Sequence, residues 1–220
     1  MADFDINQIA STLDSEDMIG FTRSFVEDIR KGLNAVNIDR YPWIEEISNG
    51  QWQGVLALGM GGSAAGGDFL STICDLKGSI PVVVQRNYVI PAWWDEQWLV
   101  IATSHSGNTE EAIEATEIAL KLGATVIVIS TGGILSGLAE LHYNCYLIPS
   151  IGGQPPRSAF GHIFARQLAL FRCLGIIPSD NDDQAMLTRL QAVVEEYDFI
   201  NNQESDLLEL IAYMETQPIA

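Results

Sequence analysis

A chain of 220 residues with 47% hydrophobic and 18% charged side chains has the composition of a globular protein, not of a disordered one. Its formal net charge of -18 excludes nucleic acid as an expected partner, because the phosphates would be repelled over most of the surface. No apolar run reaches the roughly 18 residues of a membrane span, so we expect no membrane association. The three cysteines, Cys74, Cys145 and Cys173, are widely spaced, which favours reduced thiols in the cytoplasm over disulfides or a metal site.

The acidity of the chain lies in its two flanks. Residues 1–18 hold five acidic side chains and no basic one, and residues 180–215 hold ten acidic side chains against Arg189 alone. We interpret residues 1–50 as an N-terminal helical region, with one helix over 17–36. The segment between the flanks is close to neutral, and the candidate functional residues fall within it.

The middle of the chain, residues 51–178, alternates short apolar runs with helical patterns, which is typical of a doubly wound α/β fold. The runs at 82–84 and 126–129 lack polar alternation, which indicates strands covered on both faces. The sequence therefore predicts a flavodoxin-like three-layer sandwich, in which helices flank a five-stranded parallel sheet. The predicted strands are 55–59, 81–85, 98–102, 125–130 and 145–148.

Helical spacing predicts one helix over 108–122 and another over 156–174. At the start of the first, Asn108 is expected to act as the N-cap and Glu111 to complete a capping box. Residues 179–220 are interpreted as an acidic helical linker, interrupted near Asn201. Its last five residues are interpreted as the approach to a strand of a second domain.

Two polar loops follow predicted strands, at the edge where open parallel sheets bind ligands. In Gly59-Met60-Gly61-Gly62-Ser63, the glycines let main chain approach a ligand closely and the serine offers a hydroxyl. The second loop, Ser104 to Thr109, places three hydroxyls around Gly107 directly before a helix. Amides at a helix start, the helix dipole and hydroxyls together bind a phosphate dianion without lysine. The alternative is that Ser106, Asn108 and Thr109 only cap the helix.

A third loop, residues 152–159, follows the last predicted strand and contains Arg157. If this arginine points toward the same strand ends, it is suited to stabilising an oxyanion. Otherwise it is an ordinary surface charge.

These three segments resemble the sugar isomerase (SIS) domain, and most closely the bifunctional phosphoglucose/phosphomannose isomerase family. The resemblance covers residues 20–175 and implies a reaction without metal or cofactor. Glucose 6-phosphate or mannose 6-phosphate is converted to fructose 6-phosphate through a cis-enediolate. The matching motifs are Gly59-Met60-Gly61-Gly62-Ser63, Ser104-x-Ser106-Gly107-Asn108-Thr109-Glu110-Glu111, Gly132-Gly133 with Leu135, and Gln154-Pro155-Pro156-Arg157-Ser158-Ala159.

The resemblance also implies roles for individual residues. Arg157 is expected to be catalytic, since it would stabilise the enediolate, and domains of this type commonly pair, so we expect a homodimer. Residues expected to bind the sugar phosphate are Gly61, Gly62, Ser63, Ser104, Ser106, Gly107, Asn108, Thr109 and Arg157.

The carboxylate base and the ring-opening histidine of the family lie in or just before a second domain, and neither can be mapped onto this chain. Glu204 lacks the surrounding motif, and we interpret it as an exposed helical side chain. His105 is interpreted as a spacer, with a phosphate donor as the alternative. His162 is interpreted as a packing residue, and His142 is assigned no role.

Two other functions compete with an isomerase. One is a binding or regulatory SIS module that senses a sugar phosphate without turning it over. The other is an NADP-binding domain, because Gly59-x-Gly61-x-x-Ala64 formally satisfies the dinucleotide fingerprint. That fingerprint expects an acidic residue where Arg86 stands, and it leaves the serine-rich loop unexplained.

Aromatic residues at 93, 94 and 98 form a tryptophan cluster. They lie either at a subunit contact or over the edge of the sheet, and the sequence favours neither.

Overall fold

The computed structural model describes residues 6–179, 182–202 and 204–215. The chain divides into two compact units, and the boundary falls within the second helix. One unit is formed by residues 27–179, and the other by the flanking segments on both sides of it. The strand predicted to begin at 216–220, and linker residues 180 and 181, lie outside the described residues. The domain limits 1–50, 51–178 and 179–220 remain predictions.

The secondary structure alternates between helices and strands across the central unit. The strands are β1 Gly54–Leu58, β2 Val82–Gln85, β3 Trp98–Ser104, β4 Val126–Ser130 and β5 Cys145–Pro149. The helices are α1 Ile6–Leu13, α2 Met18–Ala35, α3 Trp43–Ser48, α4 Gly61–Lys77, α5 Glu110–Lys121, α6 Gly133–Leu141, α7 Phe160–Cys173, α8 Asp183–Tyr197 and α9 Asp206–Glu215.

The strands form one five-stranded parallel sheet with the order β2-β1-β3-β4-β5. Every residue of β1 and β4 is buried, because helices cover both faces of the sheet. The predicted fold is therefore confirmed, with strand limits correct to one or two residues. The largest difference is at β3, which continues two residues past the predicted end, to Ser104.

The two faces of the sheet bury separate hydrophobic clusters. One contains Leu70 of α4 and Phe171 of α7, and the other contains Ala115 of α5 and Leu138 of α6. Thus the connection after β1 crosses one face, whereas the connection after β3 crosses the other. Because β1 and β3 are neighbours, their loops diverge and leave a cleft at their carboxyl ends, where such sheets bind ligands.

The predicted capping box at the start of α5 is wrong. The helix begins at Glu110, after Thr109 as the N-cap, and no side chain caps it. The side chain of Asn108 instead accepts a hydrogen bond of 3.2 Å from the Ile134 amide, in the first turn of α6. The amides in the first turn of a helix have no acceptor within that helix. The fold brings the Ile134 amide of α6 within reach of the Asn108 side chain, which supplies one.

The helix predicted from residue 156 starts later, at Phe160. The preceding residues form a turn, in which the Ser158 amide donates to the carbonyl oxygen of Pro155 at 3.0 Å. The interruption predicted near Asn201 is confirmed, since α8 ends at Tyr197 and α9 begins at Asp206.

All three cysteines are free, and none is exposed. Burial raises the pKa of the Cys74 thiol to about 11 and that of Cys145 to about 12, so both stay protonated and unreactive at neutral pH. Both side chains pack in the hydrophobic clusters on the two faces of the sheet. Within the described part of the chain, no helix is both long and apolar enough to cross a bilayer.

An ion pair in the flanking unit predicts a pH dependence of stability. Arg23 donates two hydrogen bonds to Asp198, at 2.7 and 2.9 Å, and these hold the pKa of that carboxyl at about 2. Because the folded pKa lies below the ordinary value of 3.8, the stabilisation is present above about pH 4 and is lost as the pH falls toward 2. We expect Asp198→Asn to lower stability at pH 7 by about 1 kcal/mol or less.

Thermal melts followed by circular dichroism between pH 7 and pH 2 would test this prediction. Asp198→Asn should lose most of its stability deficit relative to the parent chain by about pH 2, where the carboxyl of the folded parent is about half protonated and that of the unfolded parent almost fully so. Arg23→Gln serves as the reciprocal variant and should show the same pattern. A deficit that stays constant down to pH 2 would contradict the assignment.

Candidate functional site

A cavity of about 390 Å³ lies at the carboxyl ends of β1 and β3, in the cleft that the topology predicts. All three predicted loops contribute to it, although the residues that line it extend from Met60 to Arg157 in the sequence. The residues lining it are Met60, Gly61, Gly62, Ser63, His105, Ser106, Thr109, Pro156 and Arg157.

The loop after β1 turns directly into α4. Gly61, the first residue of that helix, has φ of 51°, a left-handed conformation that favours glycine, and a side chain there would meet nothing. Glycine is therefore required by the backbone. The extended Met60 precedes the helix, and no side chain caps its first turn. The amides of Gly61 and Gly62 thus lie at an uncapped helix start beside the cavity.

Hydroxyl groups inside the second loop hold it in shape. The Ser104 hydroxyl is buried, lies 2.9 Å from that of Thr109, and accepts a hydrogen bond of 3.1 Å from the Gly107 amide. The exposed Ser106 hydroxyl accepts from the Asn108 amide at 3.2 Å. Ser106 and Thr109 line the cavity, whereas Ser104 supports the loop from below.

Gly107 is buried where this loop meets the loop after β4. Its φ of 70° is left-handed, and a Cβ atom there would overlap the carbonyl oxygen of Gly132. The carbonyl of Gly107 in turn accepts a hydrogen bond of 3.0 Å from the Leu135 amide of α6. The loop is thus fastened to two neighbouring segments through its backbone, which accounts for the Gly132-Gly133 part of the motif.

Arg157 lines the cavity with an exposed side chain and lies within the turn that precedes α7. Its guanidinium carries five donors and always a positive charge, which suits it to an anionic ligand. Of the charged residues in the described chain, Arg157 is the one that lines the cavity. The site therefore offers a dianion one cation together with main-chain amides and hydroxyls.

His105 reaches from the second loop to the third. Its Nε2 atom lies 2.9 Å from the carbonyl oxygen of Gln154, and the Gln154 amide group donates to the Asp28 carboxylate at 2.9 Å. Both loops are thereby connected to helix α2, where Asp28 is buried.

His162 lies behind this region on α7, fully buried, with Nδ1 3.1 Å from the Ser150 hydroxyl. Burial, together with the nearby Arg166, lowers the pKa of His162 to about 4. The ring is therefore neutral at pH 7, and its interpretation as a packing residue agrees with the structure.

The structure divides the predicted ligand-binding residues into two groups. Six of them line the cavity: Gly61, Gly62, Ser63, Ser106, Thr109 and Arg157. The others shape the loop, since Ser104 and Gly107 are buried inside it and Asn108 is bonded to α6. Contact between a ligand and the residues of either group remains a prediction.

Several contributing residues had no clear signal in the sequence. Met60 and Pro156 also line the cavity, although the sequence analysis gave them no binding role within their motifs. Asp28 becomes part of the site only through the tertiary fold. In the sequence, its one signal is that it is an acidic residue beside Ile29, a buried apolar residue of the same helix.

Five parallel strands in this order, with polar loops after β1 and β3 around one cavity, agree with the SIS-type fold that the sequence predicted. No protein-family model matches the chain. The curated relatives that it matches share one family name. The chain is 43% identical over 145 residues to the bifunctional phosphoglucose/phosphomannose isomerase of Caldicellulosiruptor bescii, covering 65% of this chain and 42% of that protein.

The enzyme of the same name from Thermoplasma volcanium is 40% identical over 125 residues, 57% of this chain and 38% of that protein. The chain is thus homologous to the bifunctional phosphoglucose/phosphomannose isomerase family, as its motifs predicted. It spans about two fifths of the length of these relatives.

Solved structures agree on the fold. Tagatose-6-phosphate ketose/aldose isomerase from Escherichia coli superposes with a TM-score of 0.57 at 20% identity, over 79% of this chain and 54% of that chain. The NanR protein of Vibrio vulnificus, solved with ManNAc-6P, superposes with a TM-score of 0.55 at 17% identity, over 87% of this chain and 75% of that chain.

Proposed function

We propose that this chain binds a hexose 6-phosphate in the cavity between β1 and β3. As part of an aldose-ketose isomerase, it would act on glucose 6-phosphate or mannose 6-phosphate to form fructose 6-phosphate. The observation that carries the proposal is the convergence of the three predicted loops on one cavity. The names of the curated relatives support the reaction and its substrates.

The second loop is proposed to hold the phosphate. The Ser106 and Thr109 hydroxyls border the cavity, and the amides of the first turn of α5 have no acceptors within the helix. Phosphate oxygens accept hydrogen bonds from both kinds of donor, and the helix dipole adds a favourable field. Such a site binds a dianion in a chain of net charge -18 without a lysine.

Arg157 is proposed to stabilise the reaction intermediate. Transfer of a proton between C1 and C2 passes through a cis-enediolate, whose negative oxygens a guanidinium can bind with two parallel hydrogen bonds. The cavity lining in the described chain contains no carboxylate, so the proton-transferring base is not assigned here. Glu204 is exposed, as predicted, but it lies in the turn before α9 and not in a helix, and its amide donates to the Asn202 side chain at 3.1 Å.

The phosphate loop can be tested with Ser106→Ala and Thr109→Val. Each variant removes a hydroxyl from the proposed phosphate site, so each should weaken fructose 6-phosphate binding about tenfold, since hydrogen bonds to charged groups contribute about 1.5 to 3 kcal/mol. Stability should fall by about 1 kcal/mol or less, because each hydroxyl makes one neutral hydrogen bond within the protein. Calorimetric titration and thermal melts measure the two effects separately.

Ser48→Ala and Thr72→Val are matched controls, because their hydroxyls bond to helical carbonyl oxygens far from the cavity. Both should leave binding unchanged. If the loop variants lose stability while their affinity for fructose 6-phosphate stays the same, the loop hydroxyls serve only to shape the start of the helix.

A second candidate is a sugar-phosphate-binding or regulatory module without catalysis. It is favoured by the lack of a carboxylate among the described cavity residues, and by the fold shared with NanR, which was solved with a sugar phosphate. A coupled assay for fructose 6-phosphate formation separates the two. Turnover by these 220 residues would exclude the module, whereas binding without turnover would favour it.

An NADP-binding domain is the weakest candidate. In such a domain, Arg86 would have to bind the phosphate that distinguishes NADP from NAD. Instead, Arg86 forms an ion pair with Asp68. A carboxylate in that place repels a phosphate, so the arginine is poorly suited to this role.

A homodimer and a cytoplasmic location complete the proposal. Trp93 is half exposed and packs against Trp98 with ring centroids 4.8 Å apart, while Trp94 packs against the hydrophobic cluster beneath α5. Val89, four residues before Trp93 in the sequence, is also an exposed apolar side chain. Sedimentation would show whether two chains associate.

A further inference from the structure

The side chain of His105 connects the two loops that hold opposite ends of the proposed substrate. We propose that His105 is a positioning residue, which fixes Arg157 over the cavity through Gln154 and Asp28. We call these three residues the His105–Gln154–Asp28 relay. The inference rests on the proposed function, because it concerns the ligand that Arg157 and the phosphate loop bind together.

The hydrogen bonds of His105 determine which ring nitrogen carries the proton. The partner of Nε2 is the carbonyl oxygen of Gln154, which can only accept, so Nε2 must donate. The other nitrogen, Nδ1, is buried and has no hydrogen-bond partner among the described residues. Neither nitrogen is therefore available to a phosphate in the cavity, and the alternative role of His105 as a phosphate donor is not supported.

Gln154 transmits this constraint to Arg157. It lies three residues before the arginine, with Pro155 and Pro156 between them, and proline restricts both its own φ and the conformation of the preceding residue. Its side chain donates to Asp28, which is 6% exposed and belongs to α2. The third loop is thereby held at the backbone of Gln154 by His105, and at the side chain of Gln154 by Asp28 of α2.

The backbone of His105 is itself fixed from the opposite side. Its carbonyl oxygen accepts hydrogen bonds from the Thr131 amide at 3.2 Å and from the Thr131 hydroxyl at 2.6 Å. The imidazole therefore projects from a rigid base, and a change in its hydrogen bond moves the Arg157 loop more readily than the phosphate loop. A residue that served only as a spacer between Ser104 and Ser106 would need neither the side-chain bond to Gln154 nor the backbone bonds to Thr131.

Calorimetric titration with two ligands tests the relay. His105→Phe keeps a flat ring and removes the donor, and we expect fructose 6-phosphate affinity to fall about fivefold. Inorganic phosphate can occupy the second loop alone, so its affinity for the variant should stay within about twofold of its affinity for the parent chain. A twofold change corresponds to about 0.4 kcal/mol. His105→Gln, whose amide can donate to the same carbonyl, should recover much of the loss.

A double-mutant cycle shows whether His105 acts through Arg157. In the Arg157→Ala background, His105→Phe should cause no further loss of fructose 6-phosphate affinity. Additive losses would overturn the proposal, as would equal losses for fructose 6-phosphate and inorganic phosphate. His142→Phe, on a histidine away from the cavity, is the matched control and should change neither affinity.

Hydrogen exchange tests the relay without any ligand, so its result is independent of the proposed function. In His105→Phe, the amides of 153, 154, 157 and 158 should exchange faster, while those of α5 keep their rates. Gln154→Met, which removes the bond to Asp28, should act in the same direction and serves if the first variant folds poorly. Unchanged exchange at these four amides in both variants would refute the relay.

If the parent chain binds neither ligand, the proposed function fails while the exchange result still decides the relay. Nitrogen NMR of the imidazole gives a second ligand-independent reading. We expect a proton on Nε2 of His105, and an Nδ1-H tautomer without it would overturn the assignment.

Discussion

Replacing Arg157 with alanine should lower kcat for isomerisation by about 100-fold to 1,000-fold, the range found when one donor to a developing oxyanion is removed. The reason is that the negative charge of the enediolate exists only after proton abstraction, so the guanidinium stabilises the transition state more than the bound sugar. The affinity for fructose 6-phosphate should therefore fall less, by about tenfold or less. The coupled assay gives kcat, and calorimetry gives the affinity.

Two variants sharpen the test of Arg157. Arg157→Lys keeps the charge and loses the planar fork of donors, so it should recover part of the affinity and little of kcat. Arg86→Ala removes an exposed arginine that pairs with Asp68 away from the cavity, and it should leave both quantities unchanged. An unaltered kcat in Arg157→Ala, in any form of the protein that turns over substrate, would remove Arg157 from the mechanism.

Gly107→Ala should be the most destabilising change in the site. The left-handed backbone strains any side chain, and the new Cβ atom would overlap the Gly132 carbonyl oxygen. Strain and overpacking together predict a loss of about 4 kcal/mol. The backbone fixes the position of the Cβ atom, and its contact is a main-chain oxygen, so no rotation of a side chain can relieve the overlap. Fructose 6-phosphate binding should be lost with the loop.

Gly123→Ala is the matched control for this prediction. Gly123 also has a left-handed φ, of 90°, but a Cβ atom there would meet nothing within 4 Å. It should therefore show only the conformational strain, about 1 to 2 kcal/mol. Urea denaturation followed by tryptophan fluorescence is suitable, because all five tryptophans lie between residues 43 and 98, in the unit that contains the sheet. Equal losses in the two variants would show that the contact with Gly132 adds nothing.

The strands could be located from the sequence because their signal is local. An uninterrupted apolar run such as Val126 to Ile129 has one stable environment, a strand buried on both faces. The glycine and hydroxyl loops after β1 and β3 were located for the same reason. A turn of this kind needs residue types that neighbouring positions reveal, and Gly61, with its left-handed backbone, is an example.

Hydrogen bonds between distant segments could not be predicted in this way. Asn108 was expected to cap its own helix, but its oxygen accepts from Ile134, 26 residues further along the chain. The first turns of α5 and α6 both offer amide donors that satisfy the local rules for capping, and only the packing of α5 beside α6 decides between them. The same holds for Asp28, which meets Gln154 across 126 residues.

The sequence by itself determined the five strands and the positions of their loops, because each follows from the residue types within a short window, and it predicted a phosphate ligand from the hydroxyls and glycines of those loops. The tertiary structure alone decided that β1 and β3 are neighbours, and hence that the three loops surround one cavity. It also separated Ser106 and Thr109, which face that cavity, from Ser104 and Gly107, which lie buried beneath it. The reason is physical: the order of strands and the direction of a side chain depend on contacts between residues far apart in the chain.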